Sequence, residues 1–550
     1  MSIETTITPE MVKEYTASGY WSEKTLGDFL DQNVLNFPNK EAIIFQDQRI
    51  TYRQFGQRVD RLALNFLELG FKKEDMVVVQ LPNRPEFLYV FFALVKIGAV
   101  VVPVISSYRD KELDYIIKFS EAKAVVIPNE FKGFFYPEMM GHLQKKHTHL
   151  KHIIVAGKRA PSGTIPLDRL MEENPRKTYP TDYLRKIKPR GTDVAVMLIT
   201  SGTEANPKGV LRTHNEWVCH AAIDGGDMRF NIDTVHLAIV PFTHFFGLMV
   251  GPMMVMEHGG KNVLLEIWSG PEEVLKLIEK EKITSLAAVA PQIIALLNYS
   301  GLSSGNLSSV RYLITGAVAC PAEIVRQIHA SLGIRVINKF GQSEGVGTIT
   351  PPDSPPEIVA ATVGSTCRQN KFKIVGDEDR VLPAEQAGEL LVKGPTLFAG
   401  YYKDPDRTRS TRTADGWFHT GDNAYLRPDG NLVITGRKSD TINRGGEKIS
   451  PQEVEELLYT HSKVLHASMI GMPDPAMGER NCAYIVPKPG EEITLEEIVS
   501  FLKSKGIATF KLPERLEIIK DDFPRTPSGK IRKNVLREDA KKKFKEEEAL

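Results

Sequence analysis

A chain of 550 residues is too long to bury around one hydrophobic core, so two or more domains are expected. Apolar residues make up 42% and charged ones 25%, an ordinary balance for a soluble globular protein, and a net charge of +1 gives no electrostatic reason to expect nucleic acid or a membrane surface as partner. Cys219, Cys320, Cys367 and Cys482 lie far apart without a CxxC pair, which argues against a disulfide framework or a cysteine zinc site. No basic-then-apolar signal region occupies residues 1–20, and a cytoplasmic location is expected.

Residues 51–128 alternate helix and strand. Thr51 and Gln54 make a capping box, and Phe55, Val59, Leu62, Ala63 and Phe66 recur at helical spacing until Gly70 stops the helix. Residues 87–105 are apolar enough to suggest a membrane span, but Lys96, Gly98 and Pro103 divide them into a buried helix, a stop and a strand. Short β-branched runs at 77–79, 100–104 and 124–127 predict parallel strands with both faces covered. His142, His147, His149 and His152 then fall among lysines that would repel a cation, and a solvated surface turn is expected there.

An apolar run at 194–199 predicts another buried strand, after which the chain turns abruptly small, hydroxylated and glycine-bearing: Thr200-Ser201-Gly202-Thr203-Glu204-Ala205-Asn206-Pro207-Lys208-Gly209. Such a loop fits a polyphosphate, because glycine admits close approach of the backbone, hydroxyls and N–H groups donate to phosphate oxygens, and Lys208 adds positive charge. The P-loop pattern of nucleotide triphosphatases fails, since Pro207 precedes the lysine and Gly209 follows it. Thr213 and Glu216 form a capping box, so the loop is expected to hang between a strand and a helix.

Strands are predicted at 235–240, 262–265, 285–288, 312–315 and 336–339, with helices at 271–281, 292–299 and 322–332, a second βα block consistent with two similar sheets packed together. Residues 358–434 change to short strands with frequent turns, a β-rich piece expected to be a distorted barrel or sandwich. Beyond Gly436 a compact α+β tail is expected, with a helix opened by Ser450-Pro451 and strands near 467–470, 483–486 and 516–519. The fold class is therefore α/β: a large N-terminal domain (1–436, its β-rich part at about 358–436) and a small mobile C-terminal α+β domain (437–550).

Five segments in order resemble the acyl-adenylate-forming ligases: residues 200–209, with Glu204 and Ala205 departing from that family's Thr and Gly; Phe340-Gly341-Gln342-Ser343-Glu344; Trp417-Phe418-His419-Thr420-Gly421-Asp422; Gly436-Arg437-Lys438-Ser439-Asp440; and Pro524-Arg525-Thr526-Pro527-Ser528-Gly529-Lys530-Ile531. Between the last two, Gly445-Gly446-Glu447-Lys448 is similar to the segment that enters the active site for the second half-reaction. The resemblance implies that Thr200, Ser201, Gly202, Thr203, Lys208, Gly316, Ala317, Phe340, Gly341, Ser343, Asp422 and Arg437 bind ATP, with Phe340 stacked on adenine and Asp422 on the ribose hydroxyls. It further implies Mg²⁺ on Glu344 and Thr200, and catalytic roles for Lys530, Glu344 and His244, Lys530 bridging the substrate carboxylate and the α-phosphate. Ser439 falls at the expected hinge of the tail, where that family usually has Asp or Lys.

The acyl pocket is implied to involve His244, Phe245, Phe246, Gly316, Val318 and Val346. The nearest look is to the dihydroxybenzoate-activating ligases of siderophore assembly, which carry Asn where this chain has Phe245. An apolar ring in that place argues against a catechol and for an apolar cyclic, aromatic or medium-chain acid. The expected reaction is ATP-dependent activation of that acid as acyl-AMP and transfer to coenzyme A. Two alternatives stay open: an aryl-acid ligase loading a carrier protein, and a nucleotide-binding relative without catalysis.

Overall fold

The Thr51 hydroxyl accepts the Gln54 N–H while the Gln54 side chain accepts the Thr51 N–H, and this reciprocal cap opens helix Tyr52–Glu68. Its apolar stripe, Phe55, Val59, Leu62, Ala63 and Phe66, is entirely buried, and each such large side chain contributes roughly 1.5–3 kcal/mol. Gly70 ends the helix region at φ +82°, a left-handed conformation that favours glycine. The long apolar stretch after it is helix Pro85–Lys96 and strand Val100–Pro103, separated by Gly98 at φ +74°. Lys96 is tolerated inside because Asp31 and Asp60 both pair with its ammonium.

The computed structural model describes residues 3–157, 160–200, 207–302, 307–316, 320, 322–366, 368–526 and 530–548. Among these, a nine-stranded sheet is centred on parallel strands Arg335–Gly341, Tyr312–Gly316, Ser285–Ala288, Val235–Ala238, Lys261–Leu264 and Glu41–Phe45. An eight-stranded sheet contains the parallel set Val100–Pro103, Met76–Val79, Ala124–Pro128 and His152–Ala156. Residues of both sheets join helices Tyr52–Glu68, Pro85–Lys96 and His214–Asp227 in one apolar cluster, so the helices form a layer that both sheets share. No described helix is long and apolar enough to cross a membrane.

Four expectations need correction. The segment after residues 201–206 is strand Lys208–Thr213, antiparallel to Val194–Thr200, so the loop joins two strands and the capped helix His214–Asp227 comes one strand later. The antiparallel pairing sets Thr200 opposite Lys208 in register. The β-rich piece is an open four-stranded antiparallel sheet (Lys371–Val375, Gly388–Lys393, Phe418–Leu426, Leu432–Arg437), neither barrel nor sandwich. The histidine-rich segment is no solvated turn: His147 is buried against Asp114 at 2.7 Å, and His152 starts a strand and stacks on Phe71. Finally, Ser450 precedes helix Pro451–Leu458 but makes no side-chain cap; its hydroxyl donates instead to the Thr435 carbonyl.

The remaining chain builds a five-stranded sheet from Ile442–Arg444, Glu447–Ile449, Val464–Asp474, Gly478–Pro487 and Arg515–Ile518, with apolar clusters of its own. Helix Lys533–Glu548 packs Leu536 and Ala540 into the smaller of these clusters.

Candidate active site

Parallel strands end on one edge, and the motif residues gather there. Gly316 closes strand Tyr312–Gly316, Phe340 and Gly341 close Arg335–Gly341, and His244 lies just past Val235–Ala238. This carboxyl edge is where open α/β sheets bind ligands. Gly316 is required by space: a Cβ there would stand 2.6 Å from the Lys339 carbonyl oxygen and 3.1 Å from Phe246.

Asp422 is the most constrained member. It lies in mid-strand of Phe418–Leu426 rather than at a hairpin end, opposite Arg437 in register on Leu432–Arg437. Its Oδ1 is 2.8 Å from Arg437 Nε, and its Oδ2 accepts the Gln342 amide at 2.5 Å. Burial pushes the carboxyl pKa up, while Arg437, Gln342 and Lys530 pull it down. Gln342, which the sequence reading passed over, also donates to the Thr420 carbonyl at 3.0 Å and thereby ties the 340–344 segment to the Asp422 strand.

Glu344 accepts the Tyr401 hydroxyl at 2.9 Å, and the Lys208 ammonium stands 5.6 Å above the ring of the same tyrosine. Beneath them lies a second device that the motifs do not mark. Arg212, fully buried, donates to Glu216 at 2.9 Å, to the Ser343 carbonyl at 2.7 Å and to the Thr396 carbonyl at 3.1 Å, with Phe245 against its guanidinium. Glu216 accepts the Thr213 N–H as well, and burial raises its pKa to about 7 against the pull of Arg212. This pair fixes the backbone from which Ser343 and Glu344 project. Its sequence signal is a period of four, Arg212, Glu216, His220, Asp224, all buried.

Lys530 comes from the far end of the chain. It keeps contact with solvent, yet desolvation and then Arg437 lower its pKa, offset by Asp422 and Glu344, so these groups share one cleft. His244 caps the short helix Phe245–Leu248, its Nδ1 accepting the Phe246 N–H at 3.2 Å. Burial, with Lys530 adding to it, lowers its pKa to about 4, so it is neutral at pH 7. Phe245 and Phe246 are buried, Phe245 edge-on to Trp217 and His220, and Val346 is fully enclosed. Ser201, Gly202, Thr203, Glu204, Ala205, Ala317 and Val318 lie outside the described residues.

Oxygen ligands are what a Mg²⁺ ion takes, and the Glu344 carboxylate with the Thr200 hydroxyl supplies that donor type beside Lys208. Gly445 and Gly446, at φ +59° and +97°, make the two-residue turn between strands Ile442–Arg444 and Glu447–Ile449, a tight hairpin rather than a slack loop.

The same organisation is found in known proteins. The profile of the AMP-binding enzyme family matches residues 30–402, and that of the AMP-binding enzyme C-terminal domain matches residues 453–530. A 2,3-dihydroxybenzoate-AMP ligase of Bacillus subtilis is 35% identical over 96% of this chain and 96% of its own. A medium-chain fatty-acid–CoA ligase of Escherichia coli is 32% identical over 98% and 94%. The ATP-bound crystal structure of MatB from Rhodopseudomonas palustris superposes with a TM-score of 0.84 at 26% identity, covering 94% of this chain and 99% of that one. With matches across nearly its whole length, and with Asp422, Glu344 and Lys530 brought to one cleft, the chain belongs to the AMP-binding enzyme family.

Proposed function

We propose that this enzyme activates a carboxylic acid as its acyl-adenylate and passes the acyl group to coenzyme A. A carboxylate is a poor electrophile; attack of its oxygen on the α-phosphorus of ATP, with pyrophosphate leaving, supplies a better leaving group. The thiol then attacks the acyl carbon and AMP departs. The observation that carries this reading is the convergence of Lys530 with Asp422, Glu344 and Arg437, residues from opposite ends of the site. Lys530 holds a positive charge where the carboxylate and α-phosphate oxygens meet. Asp422, aimed by Gln342 and Arg437, receives the ribose hydroxyls, and Phe340 offers a face to adenine. In this reading Thr200, Lys208 and Ser343 serve the phosphate side, and Gly316 and Gly341 leave room for the nucleotide, while Ser201, Gly202, Thr203 and Ala317 are assigned to ATP by the resemblance alone. Mg²⁺ on Glu344 and Thr200 would neutralise the triphosphate.

His244, Phe245, Phe246, Gly316 and Val346 line the acyl side in this reading, with Val318 assigned there by the resemblance alone, and the phenylalanines suit a predominantly apolar acid. Residues 1–436 then form the adenylation core, with the β-rich part at 358–436. Residues 437–550 form a small domain that turns about Ser439 to bring Gly445-Gly446 to the site for the second half-reaction. Acid-dependent exchange of pyrophosphate into ATP across a panel of acids tests the first step, and thioester formation with coenzyme A tests the second. No exchange with any acid sinks the reading and favours a nucleotide-binding relative without catalysis.

A second reading, a ligase loading an aryl acid onto a carrier protein, is favoured by the 35% identity to the B. subtilis dihydroxybenzoate-AMP ligase. Adenylation without transfer to coenzyme A would select it.

A further inference from the structure

Helix His214–Asp227 presents His220 and Asp224 one turn apart, and both are buried, 1% and 0% exposed. His220 Nε2 lies 2.9 Å from Asp224 Oδ2. Lys339, the residue before Phe340, inserts its ammonium against the same carboxylate and 3.4 Å from His220 Nε2, and Gln369 donates to Asp224 Oδ1 at 3.1 Å. Three ionisable side chains this deep are costly to bury, and the family motifs require none of them. Lysine and aspartate neutralise one another, burial keeps His220 uncharged by lowering its pKa, and the cluster as a whole is neutral. It is not saturated. Among the described residues the ammonium, with three N–H donors, has only the Asp224 carboxylate as acceptor, because His220 Nε2 donates to that carboxylate too, and His220 Nδ1 and Gln369 Oε1 have no partner.

The cluster backs directly onto the residues assigned above to the acyl side. Phe245 packs edge-on against the His220 ring at 5.4 Å, and the Lys339 backbone carbonyl is what bars a side chain at Gly316. Gly347, next to Val346, packs closely over it: a Cβ there would stand 3.2 Å and 3.3 Å from His220 and 3.7 Å from Asp224. Any side chain at 347 would press on the cluster, which glycine avoids.

We propose that Lys339, His220 and Asp224 form the far wall of the acyl pocket and select an acid whose apolar body ends in an uncharged oxygen substituent, a hydroxyl or oxo group. The inference rests on the ligase reading above and narrows its substrate class. An oxo or hydroxyl oxygen accepts from Lys339, and a hydroxyl hydrogen reaches His220 Nδ1 or Gln369 Oε1. A second carboxylate is disfavoured, since Asp224 already neutralises Lys339.

The test compares pyrophosphate exchange for benzoate with its 3- and 4-hydroxy derivatives, for cyclohexanecarboxylate with its 3- and 4-oxo derivatives, and for cyclohexane-1,4-dicarboxylate. The wild-type enzyme is expected to favour an oxygenated acid over its parent hydrocarbon acid by about tenfold or more in kcat/KM, and to disfavour the diacid. Lys339→Met should erase that preference. Because that change strands Asp224, Gly347→Ala provides a second arm: it presses a methyl group on the His220 ring while keeping all three ionisable side chains, and should reduce kcat/KM for the oxygenated acid alone. Equal or better use of the hydrocarbon acids by wild type, or an equal loss for both acids in Gly347→Ala, overturns this inference and leaves the ligase reading standing. Absence of exchange with every acid overturns both.

Discussion

Arg437 Nε sits 2.8 Å from Asp422 Oδ1 across two antiparallel strands in register, at the last residue before the chain turns toward the tail sheet. The group that holds the carboxylate proposed to face the ribose is thus attached to the segment about which the tail is proposed to turn. On that proposal, nucleotide seating and tail position would be linked through one ion pair.

Truncating Asp422 removes an aimed, buried acceptor. Asp422→Ala should weaken ATP binding by about tenfold to a hundredfold, as expected for hydrogen bonds to a charged group. Gln342→Ala, which only lets the carboxylate drift, should cost less. Calorimetric titration with ATP measures both, and unchanged affinity in Asp422→Ala would take that residue out of the site.

Lys530 is proposed to act in the first step as a cation. Lys530→Ala should depress pyrophosphate exchange by about two to four orders of magnitude. Its pKa is lowered in the free enzyme, so kcat/KM should fall on the alkaline side with an apparent pKa below the ordinary lysine value of 10.5. His244, at about 4, is neutral throughout this range and should add no limb between pH 6 and 9. A pH profile flat to 11 contradicts the assignment of Lys530.

Arg212 and Glu216 are a fully buried ion pair, and removing one partner strands the other. Arg212→Met should destabilise the protein by about 3–5 kcal/mol, and the double variant Arg212→Met/Glu216→Gln should recover part of this. Thermal denaturation follows the stability. Hydrogen exchange at residues 343–346 should rise in the single variant, since the Ser343 carbonyl loses its guanidinium partner.

Gly446 occupies φ +97° with open space around it, so alanine there strains the turn without a clash. Gly446→Ala should leave pyrophosphate exchange near wild type and slow thioester formation by about tenfold. Equal loss of both half-reactions would remove this hairpin from a dedicated second-step role.

Local chemistry was enough for much of this. Capping boxes at Thr51 and Thr213, stops at Gly70 and Gly98, and the β-branched runs at 77–79 and 124–127 fixed the α/β class and most element boundaries, since each depends on neighbours within a few residues. The motif segments around Glu344, Asp422 and Lys530 were legible because, taken together and in order, they resemble those of the acyl-adenylate-forming ligases; each alone would pass for a turn or a solvated tail. What the sequence could not disclose was the buried charge. Arg212, Glu216, His220 and Asp224 recur every four residues and would pass for the solvated face of a helix; Arg212 is in fact on the preceding strand, and the packing of helix His214–Asp227 between two sheets, with Lys339 and the Ser343 carbonyl arriving from over a hundred residues away, turns the stripe inward. Burial is a property of the assembled layers, and no window of local sequence contains it.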